Sequence, residues 1–253
     1  MPTRDENLAS WTNYDWSHAG DSWSGDWGSS RTLWFCTILP RIHFLLPAAH
    51  VLEIAPGFGR VTAFLLAHCE RYTGIDLTPR CVDACRERFR GEGKARFEGN
   101  DGLSLAAAAD NSVDLAISWD SLVHAEPAVL AAYEHELFRT LVPGGRAFLH
   151  HSNLGAFRDP ATGALTVDNP HWRDSHMSAA LLAQFAATAG LIVDGQELLQ
   201  WSSPVVSDCF SWLRKPMPGE AVTSAPEPKV HPSFIAEIGY AAWFFRTPGR
   251  GKA

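Results

Sequence analysis

The stretch VLEIAPGFGRVT, residues 51–62, constrains the fold of this chain more than any other part of the sequence. An apolar, β-rich run leads into a turn that contains Gly57 and Gly59, and a run with helical spacing follows. A strand, a glycine turn and a helix in this order are typical of the first unit of a nucleotide-binding α/β domain. The stretch therefore predicts a parallel sheet with a ligand at its first turn.

Strand and helix signals alternate from residue 51 to about residue 200, which is typical of a mostly parallel sheet. We expect strands near 50–54, 71–77, 95–98, 113–119, 146–151, 191–201 and 241–247. A proline-rich loop insertion is predicted at about 202–238. One domain would then span 50–253, preceded by a Trp-rich appendage or lid over 1–49.

Charge and composition limit the kinds of partner that the chain can bind. With 28 acidic and 21 basic residues, the net charge of −7 argues against binding to a nucleic-acid backbone. No polybasic run, secretory leader or membrane-length apolar stretch is visible, and the five cysteines form no metal or disulfide pattern. We expect a cytoplasmic protein with a small-molecule ligand and no nucleic-acid or membrane partner, and a homodimer stays open.

The glycine turn matches a dinucleotide site only in part. The third glycine of that pattern is replaced by Thr62, and Glu53 stands in the strand just before the turn. A carboxylate at this place repels phosphate but suits a ligand that carries an amine or another positive group.

Polar side chains follow three successive predicted strands, at the point where each strand ends. Asp76 ends the second strand, residues 100–102 (NDG) follow the third, and Trp119-Asp120 ends the fourth. Open α/β sheets bind ligands at this edge. A carboxylate at Asp76 can accept both hydroxyls of a ribose, and one after the third strand can accept from an adenine amino group. With Arg60 as the one basic side chain nearby, the set suits neither a triphosphate nor a dinucleotide.

The ordered segments LEIAPGFG, GIDLTP, NDG, VDLAISWDSLVH and LVPGGRAFLHHSN together resemble the class I S-adenosylmethionine-dependent methyltransferases. The resemblance covers about residues 50 to 200, and the layout is similar to that of small-molecule and sugar O-methyltransferases of the type 11-like group. It implies an α/β, Rossmann-like fold. The sheet would have seven mostly parallel strands in the order 3-2-1-4-5-7-6, a final antiparallel strand, and helices on both faces.

The same resemblance implies S-adenosyl-L-methionine as cofactor and S-adenosyl-L-homocysteine as product. The cofactor-binding residues that it implies are Glu53, Ala55, Gly57, Gly59, Asp76, Leu77, Asn100, Asp101, Gly102 and Trp119. Residues 53–59 would border the methionine part, Asp76 would hold the ribose, and Asp101 with Gly102 the adenine. Related sequences usually have Gly where this chain has Ala55, at the start of the glycine pattern. We expect the alanine to destabilise the turn only slightly if its φ is negative.

Three histidines are candidates for the base that a hydroxyl acceptor requires. Methyl transfer is an in-line displacement, so positioning supplies much of the catalysis while a base removes the hydroxyl proton. His124 follows the fourth predicted strand, and His150 and His151 end the fifth. Because side chains alternate along a strand, only one of the pair reaches the cleft. By similarity to related O-methyltransferases we expect it to be His151, with Asp120 orienting His124 or contacting the cofactor.

A divalent metal is a less favoured alternative for the same residues. Asp120, His124, His151 and Asp208 could together ligate an ion that binds a diol. No compact ligand motif supports such a site.

The N-terminal segment and several later residues are candidates for the acceptor site. Five tryptophans (Trp11, Trp16, Trp23, Trp27 and Trp34) have spacings that fit neither a strand nor one helix face. They would either fold over a ligand, with a π face near the sulfonium, or anchor the segment to the sheet. The predicted acceptor-binding residues are Trp27, His150, Asn153, Trp172 and Trp201.

Such a polar, aromatic-lined cleft suits a sugar or a glycosylated metabolite, as in natural-product biosynthesis. The sequence therefore predicts an O-methyltransferase with a histidine base. Transfer to nitrogen or carbon of a small metabolite, and cofactor binding without catalysis, are the alternatives.

Overall fold

The computed structural model describes residues 3–201 and 204–245, and a mixed sheet lies at its centre. The strands of this sheet follow the order β3-β2-β1-β4-β5-β7-β6-β8. They are β1 Ala48–Ile54, β2 Cys69–Asp76, β3 Ala95–Gly99, β4 Val113–Ser118, β5 Leu141–Ser152, β6 Ile192–Leu199, β7 Asp208–Arg214 and β8 Lys229–Val230. The first five strands run parallel, and β7 runs antiparallel to both β5 and β6. The predicted α/β fold and strand order are confirmed, with β8 as an additional two-residue edge strand.

Helices cover both faces of the sheet. They are α1 Arg4–Asn13, α2 Ser30–Leu33, α3 Leu39–Ile42, α4 Thr62–Leu65, α5 Pro79–Arg88, α6 Pro127–Thr140, α7 Ala179–Ala189 and α8 Phe234–Phe245. The Ser178 side chain caps α7 by accepting from the Leu181 N–H, and Gly190 ends it in the left-handed region. Proline occupies the first turn of α5 and α6, where a missing N–H costs nothing. No described helix is both long and apolar enough to cross a membrane.

The C-terminal third differs from the sequence-based prediction. Residues 234–245 form helix α8, so the strand predicted at 241–247 is wrong over its described part. The missing strand, β7, lies inside the segment predicted as a loop, residues 202–238. Both faces of β7 are largely buried, which removes the polar–apolar alternation that would have revealed it. The run AAWFF suggested a strand because apolar residues surround α8 on every side.

The N-terminal segment packs against the domain along much of its length. After α1, a 3-10 segment runs over Ser17–Trp27, and a helical stretch from Ser30 to Leu45 follows. Trp27, Trp34 and Ile38 are buried in the same core as residues of β1 and β4. Trp27 and Trp34 therefore anchor this part of the chain, which is one of the two arrangements that the sequence left open.

Candidate functional site

The glycine turn after β1 places three residues in the left-handed region of backbone space. Ala55, Gly57 and Gly59 have φ values of 57°, 60° and 82°. A Cβ at Gly59 would overlap the Phe89 ring, so this glycine also allows close packing of α5. The expectation of a negative φ at Ala55 is wrong, and the alanine there carries a backbone strain of about 1–2 kcal/mol.

Asp76 joins the turn after β1 to the loop after β2. Its carboxylate accepts the Gly57 N–H at 3.1 Å and the Thr78 N–H at 2.8 Å. Burial raises its pKa to about 6, although these two hydrogen bonds oppose the shift. A buried carboxylate thus stands at the carboxyl end of β2, as the sequence predicted.

Glu53 places a second buried carboxylate beneath the same turn. It accepts from the Thr62 hydroxyl at 2.6 Å and from the Tyr72 hydroxyl. Burial raises its pKa to about 7, and the two hydroxyls oppose that rise. Together with Asp76 it gives this end of the sheet a negative potential that suits a positively charged ligand.

A cavity opens above the carboxyl ends of β1, β2 and β4, and we call it the sheet-end cavity. Of the predicted cofactor-binding residues, Glu53, Ala55, Gly57, Asp76, Leu77, Asn100, Gly102 and Trp119 line it. The two exceptions are Gly59, which packs against α5, and Asp101. The Asp101 carboxylate accepts the backbone N–H groups of Leu103 and Ser104, hydrogen bonds that lower its pKa. The predicted contact of Asp101 with adenine therefore finds no support, because this side chain orders its own loop.

The N-terminal segment forms the opposite wall of the sheet-end cavity, where it contributes Arg4, Asn7, Trp11, Trp16, Ala19, Gly20 and Trp23. The Trp16 ring stacks on Phe58 of the glycine turn, with the ring centroids 4.6 Å apart and nearly parallel. The segment thus covers the turn directly.

A second cavity, which we call the aromatic cavity, adjoins the first. The rings of Trp11, Tyr14, Trp23, Trp27 and Trp201 line it, together with Ser22, Asp26, Asp120, His124, His171 and Arg173. The two cavities share Trp11, Trp23 and Asp120. Tyr14 and Asp26 were not among the predicted site residues, since nothing in the irregular spacing of the segment distinguished them.

His124 has the arrangement of an oriented, neutral imidazole. Its Nδ1 donates to the Trp172 carbonyl oxygen at 2.9 Å, and its ring packs between Trp11 and Trp172. No described residue hydrogen-bonds to its Nε2. Burial lowers the pKa of His124 to about 4, so the ring is neutral near pH 7 and the Nε2 lone pair can accept a proton.

The side chains of His150 and His151 on β5 point to opposite faces of the sheet, but the one predicted to face the cleft, His151, points away from it. His151 is fully buried between strands, where Nδ1 donates to the Ser152 carbonyl and Nε2 accepts from the Ser211 hydroxyl. Burial lowers its pKa to about 4. The alternation was predicted correctly, but the choice of His151 as the base is wrong, because both nitrogens are occupied away from the two cavities. His150 lies on the side of Asp120 instead, where its Nδ1 accepts the Asp120 N–H.

A buried charged network runs behind the aromatic cavity. Asp120 forms ion pairs with Arg60 at 3.2 Å and with Arg173 at 3.7 Å. Arg173 Nε also donates to Asp208 at 3.1 Å, and His150 Nε2 donates to the same carboxylate at 3.0 Å. Asp120 has a φ of 54°, a strained backbone that its neighbours hold in place. It stands between the two cavities but makes no contact with His124 that would orient that ring.

The predicted acceptor residues divide into three groups. Trp27 and Trp201 line the aromatic cavity. Asn153 is buried, donating to the Val206 carbonyl and accepting the Ala179 N–H, which is a structural role. His150 is likewise fully buried. Trp172 is 38% exposed and reaches the site through its carbonyl group and its contacts with His124 and Trp11.

The predicted metal ligands do not come together. Asp208 is engaged by His150 and Arg173, and His151 faces away from Asp120 and His124. Within residues 3–201 and 204–245, no group of three or more His, Cys, Asp or Glu side chains is arranged to hold an ion.

Comparison with known proteins agrees with this geometry. Residues 51–145 match the family model described as a methyltransferase domain, a range that contains the glycine turn, all of β2, β3 and β4, and parts of β1 and β5. Over these residues the chain is similar to methyltransferase domains. A curated relative, Nodulation protein S of Rhizobium tropici, is 29% identical over 129 residues, which are 48% of this chain. The chain spans about half, 51%, of the length of that relative.

Solved structures show how widely this methyltransferase fold is used. A SAM-dependent methyltransferase of Methanosarcina mazei is 20% identical with a TM-score of 0.53, covering 70% of this chain and 98% of that one. The N-methyltransferase NodS of Bradyrhizobium japonicum WM9 is 19% identical with a TM-score of 0.53, covering 72% and 94%. The [4+2]-cyclase SpnF is 17% identical with a TM-score of 0.55, covering 81% and 84%. At these identities the likeness establishes the fold alone.

The lining of the sheet-end cavity fits S-adenosylmethionine. Glu53 and Asp76 supply carboxylates for the cationic and hydroxyl groups of such a ligand, and Trp16 and Trp119 supply aromatic faces. Arg60, the basic side chain beside the turn, is already paired with Asp120. Arg60, the one basic residue within the turn sequence, is therefore already engaged by a carboxylate and is a poor ligand for phosphate.

Proposed function

We propose that this protein transfers a methyl group from S-adenosylmethionine to a hydroxyl of a small polar acceptor, a sugar or a glycosylated metabolite. The observation that supports this proposal most is the meeting of two cavities at Asp120. The sheet-end cavity suits the cofactor, and the aromatic cavity beside it carries His124.

Residues of the glycine turn and of β2 would hold the cofactor, which supplies an electrophilic methyl carbon when bound. Asp76 would accept the ribose hydroxyls, and Glu53 would favour the positive charge. The aromatic side chains of the N-terminal segment would exclude water from the reacting groups, so that segment would have to move for ligands to exchange.

His124 would receive the hydroxyl proton of the acceptor at Nε2. Its pKa of about 4 makes it a weak base, but it also keeps the ring neutral and ready to accept at physiological pH. A weak base suffices because the hydroxyl becomes far more acidic as its oxygen bonds to the methyl carbon. The hydrogen bond to the Trp172 carbonyl fixes the tautomer that leaves Nε2 free.

The rings of the aromatic cavity would hold the acceptor. Trp27 and Trp201 offer flat apolar faces, while Asp26, His171 and Arg173 offer polar groups at the same cavity. This combination matches a ring that is apolar on its faces and hydroxylated at its edge.

Release of S-adenosylhomocysteine with a panel of sugars and glycosides tests the proposal, with and without a chelator. His124→Ala should lower kcat at least about 100-fold, the lower end of general-base effects. His135→Ala, at an exposed histidine of α6, is the matched control and should leave kcat unchanged. Turnover that survives His124→Ala would refute the base, and loss of turnover with the chelator would favour a metal.

An amine acceptor is the second candidate. It is favoured by the similarity to Nodulation protein S and to a structure described as an N-methyltransferase, and by the carboxylates of Asp26 and Asp120 at the aromatic cavity. An amine attacks without a strong base. In that case His124→Ala would keep most of the activity on amines, and kcat/KM would rise with pH as the ammonium loses its proton. Binding of S-adenosylhomocysteine with no turnover on any acceptor would instead indicate a non-catalytic protein.

A further inference from the structure

Helix α1 lies against the domain without a buried apolar side chain. Of its ten residues, RDENLASWTN, all of which the structure describes, Asn7 is the one that is buried, at 8% exposure. The large apolar side chain of Leu8 is exposed. A surface helix normally docks through a buried apolar stripe, and an isolated helix of this length is only marginally stable. The docking of α1 therefore depends on its polar contacts and on the ring of Trp11.

Asn7 joins α1 to the loop after β4, which carries His124. Its Nδ2 donates to the His124 carbonyl oxygen at 2.9 Å, a hydrogen bond between residues that lie 117 positions apart. The same nitrogen donates to the Thr3 carbonyl oxygen at 3.1 Å, and Oδ1 accepts from Trp11 Nε1 at 3.0 Å. The Asn7 amide thus connects the backbone of His124 with the indole of Trp11.

Trp11 contacts the His124 side chain itself. The two ring centroids are 5.2 Å apart, and Trp11 also packs against Trp172 at 6.2 Å, whose carbonyl group accepts from His124 Nδ1. Two residues after His124, the Glu126 carboxylate accepts the Arg4 N–H at 3.1 Å. Helix α1 therefore contacts both the backbone and the ring of His124.

Stability alone does not account for an asparagine at this position. Asparagine forms helices less well than leucine does, and its buried amide is costly unless its hydrogen bonds are made. An apolar side chain of similar size would hold α1 on the domain without needing partners. An amide directed at the His124 carbonyl group instead fixes where that residue lies.

We propose that Asn7 is a positioning residue for His124, so that the base is complete only while α1 is docked. This inference rests on the proposed function, in which His124 receives the proton of the acceptor hydroxyl. A base must lie within hydrogen-bond reach of that proton, and a displacement of about 1 Å is enough to slow the reaction.

The same contacts couple ligand exchange to catalysis. When α1 moves away to admit ligands, the His124 carbonyl group loses the Asn7 amide and the His124 ring loses the face of Trp11. Docking of α1 over a bound acceptor restores both contacts. Proton transfer is thereby confined to the state in which the N-terminal segment covers the site.

A double-mutant cycle on kcat, in the full chain and with an acceptor that the wild type methylates, tests the proposal. Asn7→Leu removes the amide hydrogen bonds but keeps a similar volume and favours the helix, and it should lower kcat about tenfold. In the His124→Ala background the same substitution should change the residual kcat by less than about twofold, because Asn7 acts through His124. The matched control is Asn13→Leu, at an exposed asparagine of α1, which should leave kcat unchanged in both backgrounds.

The NMR resonance of the His124 Cε1 proton reports the position of the ring without turnover. The adjacent ring of Trp11 shifts this resonance through its ring current, and His124→Ala identifies the signal by its absence. Asn7→Leu should move the resonance, and Asn13→Leu should leave it in place.

Equal effects of Asn7→Leu in the two backgrounds, or an unchanged kcat, would overturn the proposal in an enzyme that needs His124. Full turnover by His124→Ala would instead refute the proposed base and this inference with it. If the wild type methylates no acceptor, the proposed function fails and the His124 resonance alone decides whether Asn7 positions the ring. If Asn7→Leu loses its circular-dichroism melting transition, Asn7→Asp replaces it, since the ionised carboxylate accepts from Trp11 but cannot donate to the His124 carbonyl group.

Discussion

His150 and Asp208 form a buried pair in which the imidazole Nε2 donates to the carboxylate at 3.0 Å. The other ring nitrogen, Nδ1, accepts the backbone N–H of Asp120 at 3.2 Å. The pair thereby reaches the residue that separates the two cavities, whose φ is positive. His150 acts on the site by positioning Asp120 and has no free nitrogen for catalysis.

Asp208→Asn should destabilise the protein by about 3 kcal/mol, because the Arg173 charge would stay buried without its closer partner. Burial raises the pKa of Asp208, but Arg173 and His150 outweigh it and hold the pKa well below its usual range. Because the pKa of this carboxyl group is lower in the folded than in the unfolded state, its ionised form stabilises the protein at pH values above about 4. That stabilisation is lost as the pH falls further below this value. Urea unfolding at several pH values measures this. The control is Asp194→Asn, which breaks an ion pair near the surface and should lower the free energy of unfolding by less than about 1 kcal/mol. Equal losses of stability in Asp208→Asn and Asp194→Asn would contradict the account.

Ala55→Gly should stabilise the protein, because the left-handed backbone at this position favours glycine. Relief of about 1–2 kcal/mol of strain is offset by about 0.4–1 kcal/mol of added chain entropy, so a gain of about 0.5–1 kcal/mol is expected. Ala187→Gly on the exposed side of α7 should instead lose about 1 kcal/mol. Thermal unfolding of both variants gives the comparison, and a loss at both positions would refute the strain.

Glu134→Leu should stabilise the protein by about 1–3 kcal/mol, because it removes a buried carboxyl group that has no hydrogen-bond partner among the described residues. The Glu134 side chain is fully buried in α6, and neither oxygen has a hydrogen-bond partner among the described residues. Burial raises its pKa well above the usual value, so the folded state holds a proton that the unfolded state releases above about pH 4.3. The gain should therefore be larger at pH 8 than at pH 4. Chemical denaturation at both values measures it, with Glu92→Leu at an exposed site as control.

Affinity for S-adenosylhomocysteine should fall as pH falls from 7 to 5, by roughly tenfold. Burial raises the pKa of Glu53 to about 7 and that of Asp76 to about 6, and the ionised carboxylates are the forms that favour an amino group and accept ribose hydroxyls. Protonation below these values removes that attraction. Calorimetric titration across the range gives the profile, and Asp76→Asn should flatten its lower part. An affinity independent of pH would contradict the role of these carboxylates.

The sheet and its ligand-binding edge could be predicted because each signal was local. The run before Gly57 and the carboxylate of Asp76 belong to single strands, and their positions follow from the order of the elements. Strand β7 and helix α8 could not be predicted, because burial on both faces of β7 and the apolar circumference of α8 remove the periodicity on which such predictions depend.

The details of the site depended on partners that are distant in sequence. Whether His150 or His151 faces the cleft is decided by Asp208, which lies on a strand that the sequence did not reveal. The residue at position 101 was expected to bind adenine, but its hydrogen bonds to its own loop place it outside the cavity. Single-sequence reasoning finds candidate side chains but cannot determine these pairings.

The most direct test of the central claim is a calorimetric titration at pH 8 with S-adenosylhomocysteine, ATP and NAD in turn. We predict saturable binding of S-adenosylhomocysteine at one site and no binding of the two phosphate-bearing ligands. In Asp76→Ala the affinity for S-adenosylhomocysteine should be at least about tenfold weaker, because charge-assisted hydrogen bonds are lost. Tight binding of ATP or NAD without uptake of S-adenosylhomocysteine, or an affinity that Asp76→Ala leaves unchanged, would contradict the account.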